Sequence, residues 1–174
     1  MIETERLLLR PWRETDRNPF WSMAQDSEVM RYLPSMDRAD SDDIINRMAV
    51  TQSEHGYCFW PMELKTEGRF IGFCGLMPPH EPFAEVEIGW RLERAAGFKG
   101  YAREAAQACL SWAWQELGVN SVIAVTVPDN ERSRGLMLRL GMTHDAAEDF
   151  DNPNVAAGDP LRRLVLYRIK RPDD

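Results

Sequence analysis

Cysteine is scarce in this sequence. Cys58, Cys74 and Cys109 are the only three, none forms a C-x-x-C pair, and their odd number excludes a closed disulfide framework or a thiolate zinc site. Positive charge is also in deficit: 21 Lys and Arg stand against 28 Asp and Glu, a formal net charge of −7. That is the wrong sign for neutralising phosphate backbones, so nucleic acid is not expected as a partner. Long apolar runs are missing, since nothing approaches the ~20 residues of a membrane span. The opening MIETERLLLRPW sets Glu3, Glu5, Arg6 and Arg10 around its short apolar stretch, too charged for a signal peptide. These absences predict a cytoplasmic protein in a reducing setting, with no membrane partner. There is no G-x-x-x-x-G-K-[ST] and no G-x-G-x-x-G, which excludes a P-loop and a dinucleotide fingerprint.

What is present suits a globular domain. The chain has 174 residues, 44% hydrophobic and 28% charged, with six Trp, four Tyr and seven Phe to fill a core. Such a chain buries roughly 70% of its extended surface, and residues 1–174 are expected to form one domain. Apolar periodicity switches between two and 3.6, which predicts a mixed α/β class. Leu7 to Trp12 reads as a first strand and Glu14 to Arg31 as a helix interrupted near Pro19. Asp40 to Thr51 reads as a second helix, with acidic residues in its first turn and Ile44, Ile45, Met48 and Ala49 on one face. Tyr57 to Lys65, Arg69 to Met77 and Glu85 to Glu93 read as strands whose short connections favour an antiparallel meander.

Tyr101 to Gly118 carries small and apolar residues at helical spacing, and Ser121 to Val127 is a β-branched run typical of a strand covered on both faces. A strand, helix, strand succession of this length requires a crossover, so the strands flanking the helix should be parallel. A short helix capped at Asp129 or Asn130, a strand near Met142, an acidic loop over residues 145–160 and a last strand at Arg163 to Lys170 complete the chain. The order is βααβββαβαββ, with about seven strands in one mixed sheet.

Two segments can carry chemistry. GFKGYARE, residues 97–104, sets glycine-rich backbone at the start of a helix, where free N–H groups and the positive end of the helix dipole converge. Such a turn binds anions; it equally serves as a tight turn whose dihedrals need glycine. In the third strand of the meander, Val86, Ile88, Trp90 and Leu92 alternate with Glu85, Glu87, Gly89 and Arg91, so one face is apolar and the other carries two carboxylates. His55, His80 and His144 are scattered and read as loop residues, and no metal is expected. Cys74 and Cys109 fall in apolar patterns and read as small core residues.

Five segments stand in the order and spacing of one family: ETERLLLRPW, GRFIGFCGL, AEVEIGWRL, KGYAREAAQACLSWAW and DNERSRGLMLRLGM. Together they resemble the GNAT superfamily of acetyl-CoA-dependent N-acetyltransferases over nearly the whole chain, in particular its ribosomal-protein N-terminal (RimJ/RimL-type) branch. The resemblance implies a GNAT fold with splayed parallel strands forming an acetyl-CoA cleft. It implies that the pyrophosphate of coenzyme A lies on backbone amides of Phe98, Lys99, Gly100, Tyr101 and Ala102, with Arg103 in the first helical turn. It also implies that backbone groups of Trp90 and Leu92 bond the pantetheine amides, that Asn130 bonds the pantetheine arm, and that Ser133 lies near the thioester sulfur. On the residues alone, Asn130 also suits a helix cap and Ser133 an ordinary first-turn serine. The chain departs from the family in two places. Members usually carry Gln, Arg or Trp and then Gly where Gly97 and Phe98 stand, and the Tyr that many use as proton donor is Met137, with Ser133 as the available substitute.

The implied chemistry is direct attack of a neutral primary amine on a thioester. A lysine amine of pKa ~10.4 costs about 4.6 kcal/mol to deprotonate at pH 7, whereas an α-amine at ~7.7–8.0 costs about 1 kcal/mol. Glu87 is the first candidate for the base and Glu85 the second; the alternative is that both are solvated or Arg-paired. Acidic residues at 40–43 and 145–159 suit either long-range steering of a basic protein N-terminus or plain solvated loops. The expected acceptor is a protein N-terminal α-amine. An antibiotic, amino-acid or polyamine amine is the alternative, and a coenzyme A-binding module with little activity is the rival. The chain is expected as a monomer or homodimer.

Overall fold

The computed structural model describes residues 1–172 and has nine strands and five α-helices among them. β1 (Ile2–Glu3) and β2 (Leu7–Leu9) form a short hairpin whose second strand lies against β3 (Phe59–Leu64). β3, β4 (Arg69–Met77) and β5 (Val86–Leu92) are the antiparallel meander. β6 (Ser121–Thr126) is parallel to β5 and antiparallel to β9 (Arg163–Lys170), while β7 (Thr143–His144) and β8 (Phe150–Asp151) both pair with β9. The sheet order is β1-β2-β3-β4-β5-β6-β9-β7. The two strands beyond the expected seven, β1 and β8, have two residues each, too few to show a period.

Helices cover both faces. On one, Ala105, Ala106, Cys109 and Leu110 of α4 (Tyr101–Trp112) pack on Leu7, Leu9, Trp60, Cys74, Val86 and Ile88. On the other, Phe20 and Met23 of α1 (Arg17–Ala24) and Ile45 of α3 (Arg38–His55) pack on Phe70 and Phe73. The Leu, Ile, Val, Phe and Met side chains among these each contribute about 1.5–3 kcal/mol by leaving water. Phe70 and Phe73 share a face despite their odd spacing because the β3–β4 register shifts there, Met62 pairing with Gly72 and Glu63 with Phe70. Gly72 sits at φ 137, and a Cβ on it would run into the Arg91 carbonyl.

Several boundaries differ from the sequence reading. β2 stops at Leu9, since Pro11 has no N–H to continue the ladder. The first helical region breaks at Gln25–Asp26, not at Pro19, which lies in the first turn of α1 where its missing N–H costs nothing. Asp26 instead caps α2 (Ser27–Met30). α3 is longer than expected at both ends: Asp37 and Asp40 form a capping box, and Gly56 closes it at φ 82. α4 widens into one π-helical turn at Ala113–Leu117 before Gly118. No helix among the described residues is long and apolar enough to cross a membrane.

The acidic segments are largely occupied by the chain's own groups. Asp40 caps α3 and Asp42 meets Arg17 and Arg38. Glu148 meets Arg168, Asp149 meets His144, and Asp151 meets Arg162 and Arg163. Such pairing removes much of the charge that steering of a basic partner would use.

Candidate active site

The site begins where two parallel strands part. β5 and β6 pair only at Val86↔Val122 and Glu87↔Ile123, although each strand continues. On the other side of β5 the Glu93 N–H donates to the Ile71 carbonyl at 3.0 Å. Backbone groups alternate along a ladder, so those of Glu87, Gly89 and Arg91 point to β4 and those of Ile88, Trp90 and Leu92 point toward β6. Beyond the last parallel pair, Trp90 and Leu92 therefore present unpaired N–H and C=O groups to a widening opening.

The turn before α4 lies at the wide end of that opening. Phe98 adopts φ 61, the one non-glycine at positive φ among the described residues, and Gly100 follows at φ 83. Phe98 thus takes the conformation that the family's usual glycine would take freely. Gly100 offers no side-chain cap, so the Tyr101, Ala102 and Arg103 N–H groups have no protein acceptor among the described residues. The turn is fixed from behind by Arg6 and Glu104. The Glu104 carboxylate accepts from Arg6 Nε (2.6 Å), the Arg6 backbone N–H (2.9 Å) and Thr4 Oγ1 (2.6 Å). The Arg6 guanidinium also donates to the Lys99 carbonyl (3.0 Å) and lies 4.6 Å from the centre of the Tyr101 ring.

α5 (Glu131–Arg139) closes the other side. Asn130 caps it, accepting from the Ser133 N–H at 3.2 Å and donating to Thr126 Oγ1 at 3.0 Å. The capping use of Asn130 is therefore observed, with one amide N–H to spare. Ser133 Oγ makes no hydrogen bond to any described residue. Met137 is buried in the core. The 88%-exposed Phe98 ring lies 4.8 Å from the Arg132 guanidinium carbon, which brings the α4 turn and the first turn of α5 together across the opening. The Phe98–Arg132 contact thus sets the α4 turn beside the start of α5, where Asn130 and Ser133 stand.

Glu87 stands at its narrow end, on the strand face opposite the α4-packed residues. Burial pushes its carboxyl up to about 7, against a smaller opposing pull from His80, whose Nε2 is 3.5 Å away. His80 Nδ1 lies 3.0 Å from the Pro78 carbonyl, so when neutral the ring presents Nε2 without its proton to Glu87. Glu85 does not join the site. It lies before β5, bonded by the Arg168 guanidinium at 2.7–3.0 Å and by the Ser121 hydroxyl, and Arg168 holds its carboxyl below the usual range. That corrects the reading of Glu85 as a second candidate base: its lone pairs are already occupied.

Four participants were not read from the sequence: His80, Arg91, and the Arg6–Glu104 clamp behind the turn. Only Arg91 left a signal, its place on the same strand face as Glu87. Loop histidines and contacts across about a hundred residues carry no period.

Comparison with known proteins identifies the family. The family model for the acetyltransferase (GNAT) domain matches residues 6–143. The uncharacterized N-acetyltransferase YnaD of Bacillus subtilis is 31% identical over 148 residues, 83% of each chain. The FsC-acetyl coenzyme A-N(2)-transacetylase of Aspergillus fumigatus is 30% identical over 191 residues, covering 99% of this chain and 77% of that one. A crystal structure of a GNAT-family acetyltransferase from Bacillus anthracis superposes with a TM-score of 0.80 at 28% identity, covering 97% of both chains. The family model spans most of the chain and the relatives match it in sequence as well as in shape, so the chain belongs to the GNAT family of acetyl-CoA-dependent N-acetyltransferases.

Proposed function

We propose that this protein acetylates an α-amine, as at the N-terminus of a protein, by direct transfer with both substrates bound, and that Glu87 is the base. The residues present suit coenzyme A: the uncapped N–H groups of Tyr101 to Arg103 fit a pyrophosphate, with Phe98, Lys99 and Gly100 completing the turn. The unpaired backbone of Trp90 and Leu92 fits the amides of pantetheine. Asn130, at the start of α5, has one amide N–H left for the same arm. Acetyl-CoA supplies the acetyl group as a thioester.

The observation that carries the reading is Glu87, without an Arg or Lys partner, at the narrow end of the opening and pushed up to about 7. A base poised there suits an α-amine at ~7.7–8.0, whereas a lysine amine adds several kcal/mol of deprotonation. Glu87 accepts the proton the amine loses as its nitrogen bonds to the acetyl carbon, and His80 beside it offers the proton a way out. The thiolate leaves as the carbon–sulfur bond breaks, and the Ser133 hydroxyl, free of other hydrogen bonds, is the donor available to it.

The test is steady-state transfer to N-terminal peptides and to small amines, with Glu87→Gln and Ser133→Ala. Glu87→Gln should lower kcat by about 10²-fold or more with little change in KM for acetyl-CoA, and abolish the limb near pH 7 in kcat/KM. Acetylation of small amines alone would overturn the N-terminal acceptor, and unchanged turnover in Glu87→Gln would overturn the base.

A further inference from the structure

We infer that Arg91 binds an anionic group of the acceptor, a carboxylate placed about three residues along from the α-amine. The inference rests on the α-amine reading above and adds to it a class of acceptor.

Arg91 Nε and Nη1 are buried and have no hydrogen-bond partner among the described residues. The guanidinium lies 5.8 Å and 5.3 Å from the ring centres of Phe20 and Phe73. Aromatic rings engage the charge but accept none of its in-plane N–H bonds as a carboxylate does. It lines a pocket of about 540 Å³ with Phe20, Ile44, Phe59, Phe73 and Met77, and no carboxylate is among the lining residues. Arg47, exposed at the rim, adds a second cation. The residue as a whole is half-buried, and Nη2, which is not among the closed-off atoms, is where a ligand carboxylate would reach it and supply a counter-ion to a charge held among apolar walls.

The pocket leads to the base. Met77, at its far end, is the cross-strand partner of Glu87. Glu87 and Arg91 share a face four residues apart, about 13 Å along the strand. They do not neutralise each other because the Phe59 ring stands over Gly89 between them; a Cβ on Gly89 would lie 2.8 Å from Phe59 Cζ. An extended peptide advances about 3.3–3.6 Å per residue. With its amine at Glu87 and a hydrogen-bond length of about 3 Å at each end, it brings an acidic third side chain, or the terminal carboxylate of a tripeptide, to Arg91. The carboxylate of a free amino acid lies too near its own amine to reach.

The experiment uses the full chain with acetyl-CoA and peptides differing only at position three, Asp or Asn, together with a tripeptide acid and its amide. The wild type should favour each acid over its neutral counterpart by roughly ten- to a hundredfold in kcat/KM. Arg91→Met should reduce that ratio to within about twofold, and Arg91→Lys, which keeps the charge without the planar fork, should fall between. Preference for the tripeptide acid alone assigns the site to a chain terminus, and preference for internal Asp assigns it to a side chain. Binding of the N-acetylated Asp and Asn peptides with coenzyme A is measured in parallel. If peptides turn over with no charge preference, the Arg91 site is wrong and the α-amine reading survives. If no peptide turns over yet acidic products bind tenfold tighter, the site stands and the α-amine reading falls. Absence of both overturns both. The wild-type ratio needs no variant, so a poorly folding Arg91→Met leaves the inference exposed to refutation.

Discussion

Arg10 and Arg91 both reach below the surface, on opposite terms. Arg10 is 3% exposed and fully engaged: its Nη atoms meet Asp16 at 2.8 and 2.9 Å and its Nε meets Glu63 at 2.7 Å. Asp16, 2% exposed, also takes the Arg13 backbone N–H, which ties β2 to the turn before α1. These bonds hold the Arg10 charge more firmly than in water. Arg91 has no such partner, and burial draws its pKa down to about 10. The carboxylates divide the same way: Glu63 and Glu85 are paired, while Glu87 is pushed up to about 7. Of these sequestered charges, Arg10, Asp16, Glu63 and Glu85 are ion-paired, whereas Arg91 and Glu87 on one face of β5, beside the parting of β5 and β6, have no oppositely charged Arg, Lys, Asp or Glu partner among the described residues. Two such charges on one strand face mark a site where a ligand completes the electrostatics.

The sharpest break of this comparison is one substitution made twice. Arg10→Met strips the buried Asp16 of its cation, leaves Glu63 only the exposed Arg13 at 3.3 Å, and should cost about 3–5 kcal/mol in denaturant unfolding. A loss under 1 kcal/mol would mean that the Arg10 cluster is not structural and that pairing does not separate the two regions. Next in size is the pH dependence of Glu87. Its folded pKa is raised from 4.5 to about 7, so protonation favours the fold: the contribution is full below about 4.5 and lost as pH rises through 7. At 1.36 kcal/mol per pH unit the difference reaches up to about 3 kcal/mol. Glu87→Gln should therefore be more stable than the wild type at pH 8 and nearly equal to it at pH 4.5. Equal stability at both would show a carboxylate as well solvated as Glu63 is paired.

Much of this molecule was legible before its coordinates. β4 and β9 fall on their expected bounds because Arg69–Met77 and Arg163–Lys170 are runs rich in β-branched, aromatic and other apolar residues bounded by turn signals. The parallel placement of β5 and β6 followed from the length of the crossover. The turn at residues 97–104 and Glu87 were legible because they depend on local chain direction and on strand alternation. What was not legible depends on contacts that sequence distance hides. Nothing near Glu85 announces Arg168, 83 residues on, and nothing near Arg91 announces that no carboxylate comes to it. The Phe98 departure was visible as a residue type, but its φ of 61 is a property of the folded turn.

Arg91→Met is the second half of the paired substitution and should have the opposite sign. Removing a buried charge that has no partner, while keeping an unbranched apolar stem against Phe20 and Phe73, should stabilise the free protein by about 1–2 kcal/mol. A loss instead would give Arg91 a structural part like that of Arg10, and the acceptor site would lose its energetic ground.

The smallest effect sharpens the boundary of the unusual region. Phe98 holds φ 61 at a cost of about 1–2 kcal/mol for a residue with a Cβ, partly offset by about 0.5–1 kcal/mol from its ring over Arg132. Phe98→Ala keeps the backbone cost and loses the ring. Phe98→Gly loses the ring but removes the backbone cost, less the greater freedom of glycine in the unfolded chain. The glycine variant should therefore unfold about 1 kcal/mol above the alanine variant and close to the wild type. That order would show strain held at the mouth of the opening by a contact that joins the α4 turn to α5. Equal stability of the two variants would remove the strain, and Phe98 would then belong with Arg10 among residues the fold places at no cost.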